Sequence, residues 1–338
     1  MKKTAEAVSL GHPDKTADFI SSYILDQIIK QDAHAKYAIE VMIKDNTVIL
    51  GGEISTTADT NNINVWVKNA LAEIGYDENY SKIWGDCAFN PDKLNVINLV
   101  GKQSSDIYQG VKQNGWGDQG VFVGYACRGI DNINPELYYA RKLNAELYNI
   151  AKSNPELKLG LDIKTQITLD DTGNIETAIV AIPMLEDICL HKLVLQTLNT
   201  DVGNIIINGT GRYTSHGSIA DCGITGRKLA CDFYSTAAPI GGGSPWTKDA
   251  SKADLTLNVY ARKLALQYLD DNDECFVYLS SCIGHADLPS ATVKTVKNSV
   301  VSTQNIVVDK NPSEIIDILG LNKPVFSQLC KYSVGLKK

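Results

Sequence analysis

His12, Asp14 and Lys15 crowd around Pro13 in the run Ser9-Leu10-Gly11-His12-Pro13-Asp14-Lys15-Thr16-Ala17-Asp18-Phe19. Proline favours the first position of a helix, so these side chains belong to a predicted helix N-terminus, whose dipole attracts anions. There an imidazole and an ammonium neutralise negative charge, and a carboxylate holds a hard cation. The set suits a charged phosphate ester.

Two later clusters repeat that chemistry. Gly211-Arg212-Tyr213 and Asp221-Cys222-Gly223-Ile224-Thr225-Gly226-Arg227-Lys228 combine glycines that permit close backbone approach with a guanidinium fork and a point charge. Tyr213 offers a ring to a purine. The competing readings are a solvated Arg-Lys pair and a core tyrosine. In Gly241-Gly242-Gly243-Ser244-Pro245-Trp246-Thr247-Lys248-Asp249, free backbone N–H groups can line an anion. Lys248, Lys252 and Asp254 add charge where a helix begins. A flexible linker is the alternative. The P-loop pattern G-x-x-x-x-G-K-[ST] is absent.

Gly115-Trp116-Gly117-Asp118-Gln119-Gly120 matches G-x-G-x-x-G. A polar loop precedes it and a strand-like run follows, the reverse of the dinucleotide-binding arrangement. It reads instead as a turn presenting Asp118 to an amino group. Glu40, on a strand of Ala, Ile, Val and Met, is either a buried charge that needs a cation or donor, or an exposed edge residue. Glu53 lies on the partner strand, and Asp162 and Lys164 open a later hairpin. His34, His191, His216 and His285 lack ligand-like spacing and read as structural or surface residues.

The elements that must position these groups recur three times. A helix over 13–31, a hairpin of 37–43 with 47–54 and a helix over 61–74 follow from apolar periodicity, with Gly75 as a stop. The order returns as a helix over 135–153, a hairpin within 162–183 and a helix over 187–198. It returns again as 252–269, 275–296 and 314–319. Three helix–hairpin–helix units predict an α+β fold, each sheet carrying helices on one face. Ile163, Ile167, Ile179 and Ala181 are expected to form a second apolar face, buried between subunits of a dimer. The Gly-, Gln- and Ser-rich stretch 103–115 reads as a loop near a site, with a plain linker as the alternative.

The chain has 338 residues, 44% hydrophobic and 21% charged, which accommodates two or three domains. A net charge of −7 argues against a nucleic-acid binder. No apolar stretch approaches the ~20 residues of a membrane span, and no signal-peptide core follows the N-terminus. Eight scattered cysteines without a C-x-x-C pair suggest reduced thiols, a cytoplasmic location and no zinc site.

Gly-His-Pro-Asp-Lys, Gly-Gly-Glu-Ile, Gly-Lys-Gln-Ser-x-Asp-Ile, Gly-Asp-Gln-Gly, Asp-Cys-Gly-x-Thr-Gly-Arg-Lys and Gly-Gly-Gly…Lys-Asp-x-Ser-Lys-x-Asp occur in an order that resembles the S-adenosylmethionine synthetases. The resemblance spans about 4–289. It implies three similar α+β domains around a pseudo-threefold axis, here 1–102, 117–220 and 221–338, with a gating loop at 103–116. It implies a homodimer or dimer of dimers with sites between subunits, ATP and L-methionine as substrates, and Mg2+ (about two per site) and K+ as cofactors.

By resemblance, His12 contacts the triphosphate near the breaking bond, and His12, Lys15, Lys228 and Lys248 are the catalytic set. Asp14 and Asp254 hold magnesium and Glu40 potassium. Lys15, Arg227, Lys228, Lys248 and Lys164 contact phosphate. Asp162, Arg212, Tyr213, Asp221 and Ser244 complete the ATP site. Glu53, Gln103, Asp118, Asp221 and Lys252 contact methionine. The expected reaction is attack of the methionine sulfur on C5′ of ATP, with the triphosphate leaving and then hydrolysed. The motifs depart from the family at Leu10, Trp116, Gly209 and Ser244-Pro245-Trp246, and the loop after Asp106 is shorter. Two rivals remain: an ATP or tripolyphosphate hydrolase that uses the lysine and magnesium sites but not Glu53, Gln103 and Lys252, and a silent nucleotide-binding relative.

Overall fold

The computed structural model describes residues 2–102 and 115–333. Its described strands form three four-stranded sheets built on one plan. Each is centred on an antiparallel hairpin: β2 (Lys36–Lys44) with β3 (Thr47–Ser55), β6 (Lys164–Leu169) with β7 (Ile175–Ala181), and β10 (Glu274–Ser281) with β11 (Ser290–Lys297). A strand following each hairpin extends one side: β4 (Asn95–Lys102), β8 (Val202–Ile207) and β12 (Val300–Asn305). The other side is completed by a strand from elsewhere in the chain. These are β9 (Gly223–Ile224) beside β2, β1 (Lys3–Val8) beside β6, and β5 (Gly120–Cys127) beside β10. Cuts at 102, 116 and 220 therefore separate the hairpins and their helices but not the complete sheets.

A long helix precedes each hairpin. Helix α1 (Pro13–Ile29) packs on β2 and on α2 (Ile63–Ile74), and α3 (Glu78–Trp84) follows. Helix α4 (Pro135–Ser153) lies on β1 and β6, with α5 (His191–Leu198) after the hairpin. The short α6 (Leu229–Asp232) leads towards α7 (Ala253–Leu269), which lies on β5 and β10. Helices α8 (Pro312–Leu319) and α9 (Phe326–Tyr332) close the described chain. The expected helix–hairpin–helix repeat is present three times, and the fold is α+β. Outer strands β1, β4, β8 and β12 escape sequence reading because most of their residues are not buried, so they lack a strong apolar alternation.

The expected second apolar face is corrected by register. Ile167 pairs with Ala178, whereas Ile179 pairs with Gln166. Side chains alternate along a strand, so Ile167 enters the core while Ile179 points the other way. Ile163 and Ile167 are fully buried, and Ile179 and Ala181 are half-buried. The open apolar face belongs to the first sheet. Ile224, Met42, Ile49 and Ile97 form one cross-strand row over all four strands, with Leu99 in the next row, 67% exposed.

Packing at the start of α1 is close. Gly11 approaches the backbone of Leu161, where an added Cβ would lie 2.3 Å from the carbonyl oxygen. Tyr76 fixes the same turn by donating to Gly11 O at 2.6 Å. Nearby, His216 is buried beside Tyr80 and Trp84. Its Nδ1–H donates to Thr214 O at 2.7 Å, leaving Nε2 to accept from the Tyr80 hydroxyl at 2.5 Å. Burial pushes the His216 pKa from 6.5 down to about 4. The folded protein therefore binds this proton less readily than the unfolded chain. The contribution of neutral His216 is complete above pH 6.5 and lost as pH falls towards about 4. Urea unfolding at several pH values across that window should give a steeper loss of stability for the native protein than for His216→Gln. Parallel profiles would refute this linkage.

Candidate active site

His12 caps α1 with extended backbone angles, and its Nδ1 accepts the Asp14 N–H at 3.2 Å. In neutral imidazole the proton then lies on Nε2, making that atom a donor. Burial and the charge of Lys228 push the His12 pKa down to about 4. This corrects the expected cationic role: in the free protein His12 is a neutral hydrogen-bond donor.

Asp14, almost wholly buried, accepts Ile224 N–H at 2.9 Å and the Lys228 ammonium at 2.5 Å, with Arg227 3.7 Å away. Burial opposes its ionisation, but the Lys228 and Ile224 hydrogen bonds outweigh burial and lower its pKa. Strand β9 carries this loop onto the first sheet, which is how residues so far along the chain reach the start of α1.

A second lysine–carboxylate pair stands at the start of α7. Lys248 donates to Asp254 at 2.5 Å, and Asp254 also accepts Gly243 N–H at 2.7 Å. Gly242 has φ +76°, and a Cβ there would meet Asp254 at 2.8 Å, so the turn requires glycine. The hydroxyl of Ser244 is buried and has no partner among the described residues.

Glu40 joins the two loops. One carboxylate oxygen accepts from the Thr225 hydroxyl, and the other accepts from Thr247 at 3.0 Å. Thr225 precedes Lys228 by three residues and Thr247 adjoins Lys248. Glu40 and Glu53 share the face of the first sheet that carries the exposed apolar row. Lys248 itself bridges to Ala38, the cross-strand partner of Glu53.

The other expected residues divide. Asp162 shares with His12 the neighbouring charges of Lys164, Asp221 and Lys228: it accepts Gly217 N–H at 2.9 Å, and burial raises its pKa to about 6 despite that hydrogen bond and the lysines. Lys164 and Asp221 act electrostatically on His12. Tyr213 is half-buried within the field of Asp162. Arg212 is not in the cluster; it binds Leu185 O and pairs with Asp187 at 3.4 Å. Asp118 is exposed ahead of β5, whose Val121 and Phe122 crowd the triple glycine. Lys252 is half-buried just before α7. Gln103 lies outside the described residues, as does the loop at 103–114. Trp116 and Trp246 do not meet; they belong to separate core clusters.

Lys15 departs most from expectation. It is 3% exposed, donates to Asp232 at 2.6 Å and Asp18 at 3.3 Å, and lies 5.3 Å from the centre of the Trp246 ring. Burial opposes its charge, but Asp232, Cys330 and Asp18 outweigh it and raise its pKa. Proximity to His12 in sequence suggested a phosphate contact, yet the helix turns this side chain inward. Asp18, Asp232, Thr225 and Thr247 were missed. Asp18, Thr225 and Thr247 lie inside the motif runs without a role being read for them, and Asp232 lies outside every motif.

The donors are hard. Among the described residues no three His, Cys, Asp or Glu side chains gather around one point. Asp14 and Asp254 each offer a carboxylate that already attracts a cation, which fits Mg2+ completed by phosphate and water oxygens. Glu40 with two hydroxyls is an all-oxygen set that fits K+.

Sequence models for the S-adenosylmethionine synthetase N-terminal, central and C-terminal domains match residues 1–105, 113–216 and 215–336. The chain belongs to the S-adenosylmethionine synthetase family. It is also similar to a solved structure described as an unusual S-adenosylmethionine synthetase from Campylobacter jejuni, at 30% identity and a TM-score of 0.87. The match covers 99% of this chain and 95% of that one. The three-unit architecture is thus the family's own.

Lys15→Met leaves buried Asp18 and Asp232 without their cation and should cost about 3–5 kcal/mol in urea unfolding. Lys164→Met, at an exposed position, should cost less than about 1 kcal/mol. Equal costs would return Lys15 to the list of free phosphate contacts. In NMR titration, the His12 ring should stay neutral from about pH 8 to about pH 5; a midpoint near 6.5 would restore its cationic role.

Proposed function

We propose that the protein is a methionine adenosyltransferase working by direct attack of the methionine sulfur on C5′ of ATP, with the whole triphosphate leaving. Family membership supports the enzyme class. The observation that carries the reaction course is the Glu40 tie, which joins the loops of Lys228 and Lys248, with Lys228 acting on His12. Thioether sulfur has no proton to lose, so no general base is required. The barrier falls through stabilisation of charge growing on the leaving oxygens and through alignment of sulfur with carbon.

In this reading His12 donates from Nε2 towards the leaving oxygen. Lys228 and Lys248 exchange their carboxylate partners for phosphate oxygens, with Arg227 and Lys164 at the rim. Asp14 and Asp254, released from the lysines, would hold Mg2+, and Glu40 would hold K+. Those ions supply charge neutralisation of the polyanion. Asp162 and Tyr213 serve the nucleoside, Ser244 the phosphate side, and Glu53, Gln103, Asp118, Asp221 and Lys252 the methionine. Hydrolysis of tripolyphosphate to pyrophosphate and phosphate follows at the same shell. Lys15 and Arg212 are assigned to structure instead.

A second copy covers the first sheet. The row of exposed Ile224, Met42 and Ile97 with half-buried Ile49 crosses all its strands on the face of Glu40 and Glu53, so a homodimer would bury apolar surface and complete the site together. Eight unpaired cysteines suit the cytoplasm, and among the described residues no helix is long and apolar enough to cross a membrane.

Mass spectrometry after incubation with ATP, methionine, Mg2+ and K+ should reveal methionine-dependent S-adenosylmethionine with equal pyrophosphate and phosphate. Phosphate release without the sulfonium product would overturn the transferase reading. His12→Ala should lower kcat about 100-fold or more, the scale of one lost transition-state donor, while ATP binding weakens far less. Equal losses would remove the leaving-group role.

A further inference from the structure

Beneath the lysine loops runs a second, wholly buried tie. Asp18, in the first turns of α1, accepts Gly226 N–H at 2.8 Å and so holds the loop carrying Arg227 and Lys228. Its other carboxylate oxygen faces Lys15 at 3.3 Å, and Lys15 donates to Asp232 at 2.6 Å. The same Asp232 oxygen accepts the indole N–H of Trp246 at 2.8 Å. Trp246 lies two residues before Lys248. Its ring stacks on Phe233 and is 3% exposed. Helix α9 seals the assembly: Ser333 donates to the free oxygen of Asp232 at 3.0 Å, and Cys330 approaches Lys15 at 3.7 Å.

Among the described residues these side chains make hydrogen bonds separate from those of Glu40 with Thr225 and Thr247. The two lysine loops are therefore gripped twice, by Glu40 at the sheet face and by this chain of charges inside. An ion pair in the interior is expensive to bury and worth little for stability relative to an apolar substitute. What it does supply is direction: a charged acceptor fixes the indole N–H, and through it the backbone leading to Lys248, with an angular definition that apolar packing lacks.

We propose that Asp232, Lys15 and Trp246 are positioning residues that set Lys248 against Lys228 for the leaving polyphosphate. The inference rests on the transferase reading given above. Trp246→Phe keeps the ring and removes the single hydrogen bond, so it is the mild test; Asp232→Asn, which keeps an acceptor but removes the charge, is the harsher one.

The experiment is a double-mutant cycle on kcat for S-adenosylmethionine formation by the intact protein. Urea unfolding identifies a temperature at which every variant is folded. In the native background Trp246→Phe should lower kcat about tenfold, a small part of what misplacing a catalytic group by an ångström costs. In the Lys248→Ala background the same change should cost less than about twofold, because neighbours acting through one group are not additive. Methionine KM should stay constant in both.

Equal fold losses in the two backgrounds, or no loss in the native one, would overturn the relay while leaving the function intact. Should Asp232→Asn not fold, the Trp246→Phe cycle decides alone. A native protein that forms no S-adenosylmethionine fails the underlying reading instead, and the two failures are told apart by that single control.

Discussion

Lysines drawn towards one site repel each other, and this protein settles that conflict with carboxylates. Lys228 rests on Asp14 and Lys248 on Asp254, each at the start of a long helix. The pairing holds the ammonium groups in place at little cost in mutual repulsion. It also keeps two hard oxygen ligands beside them. In the proposed reaction a polyphosphate accompanied by a divalent ion would exchange partners with both pairs, so the same four groups would serve the resting and the loaded site. The loops that carry the two pairs are joined through Glu40.

Local chemistry explains how each pair is made. The N–H groups of Ile224 and Gly243 hold their carboxylates by the oxygens that the lysines do not use. Gly242 adopts a turn denied to other residues, which lets Asp254 sit close under the loop. The Glu40 carboxylate then ties the loops through two threonine hydroxyls. His12 is a capping residue first, and its capping contact determines which ring nitrogen is left to donate.

The clusters around His12, Lys228 and Lys248 were legible in sequence because glycines and charges marked them. The threefold recurrence was legible because helices α1, α4 and α7 and their hairpins bury periodic faces; α4 was read with its bounds unchanged. Direction was not legible. Lys15 follows Asp14 by one residue, and the 100° step of a helix turns it from the site into the core. Ile167 and Ile179 read as one face until the strand register separated them. Asp232 had no motif, since its partners Lys15, Trp246 and Ser333 come from three distant segments.

The borrowed strands carry a consequence for synthesis. A chain leaving the ribosome cannot finish its first sheet until β9 has emerged, nor pair β1 until β6 exists, nor complete the third sheet from β5 alone. Pairings at such long sequence separation form slowly, because their loop closure comes before any reward. Nascent thirds therefore remain open-edged while the next is made. The interleaving that delivers residues 223–228 to the start of α1 therefore sets the point in synthesis before which the first sheet cannot close.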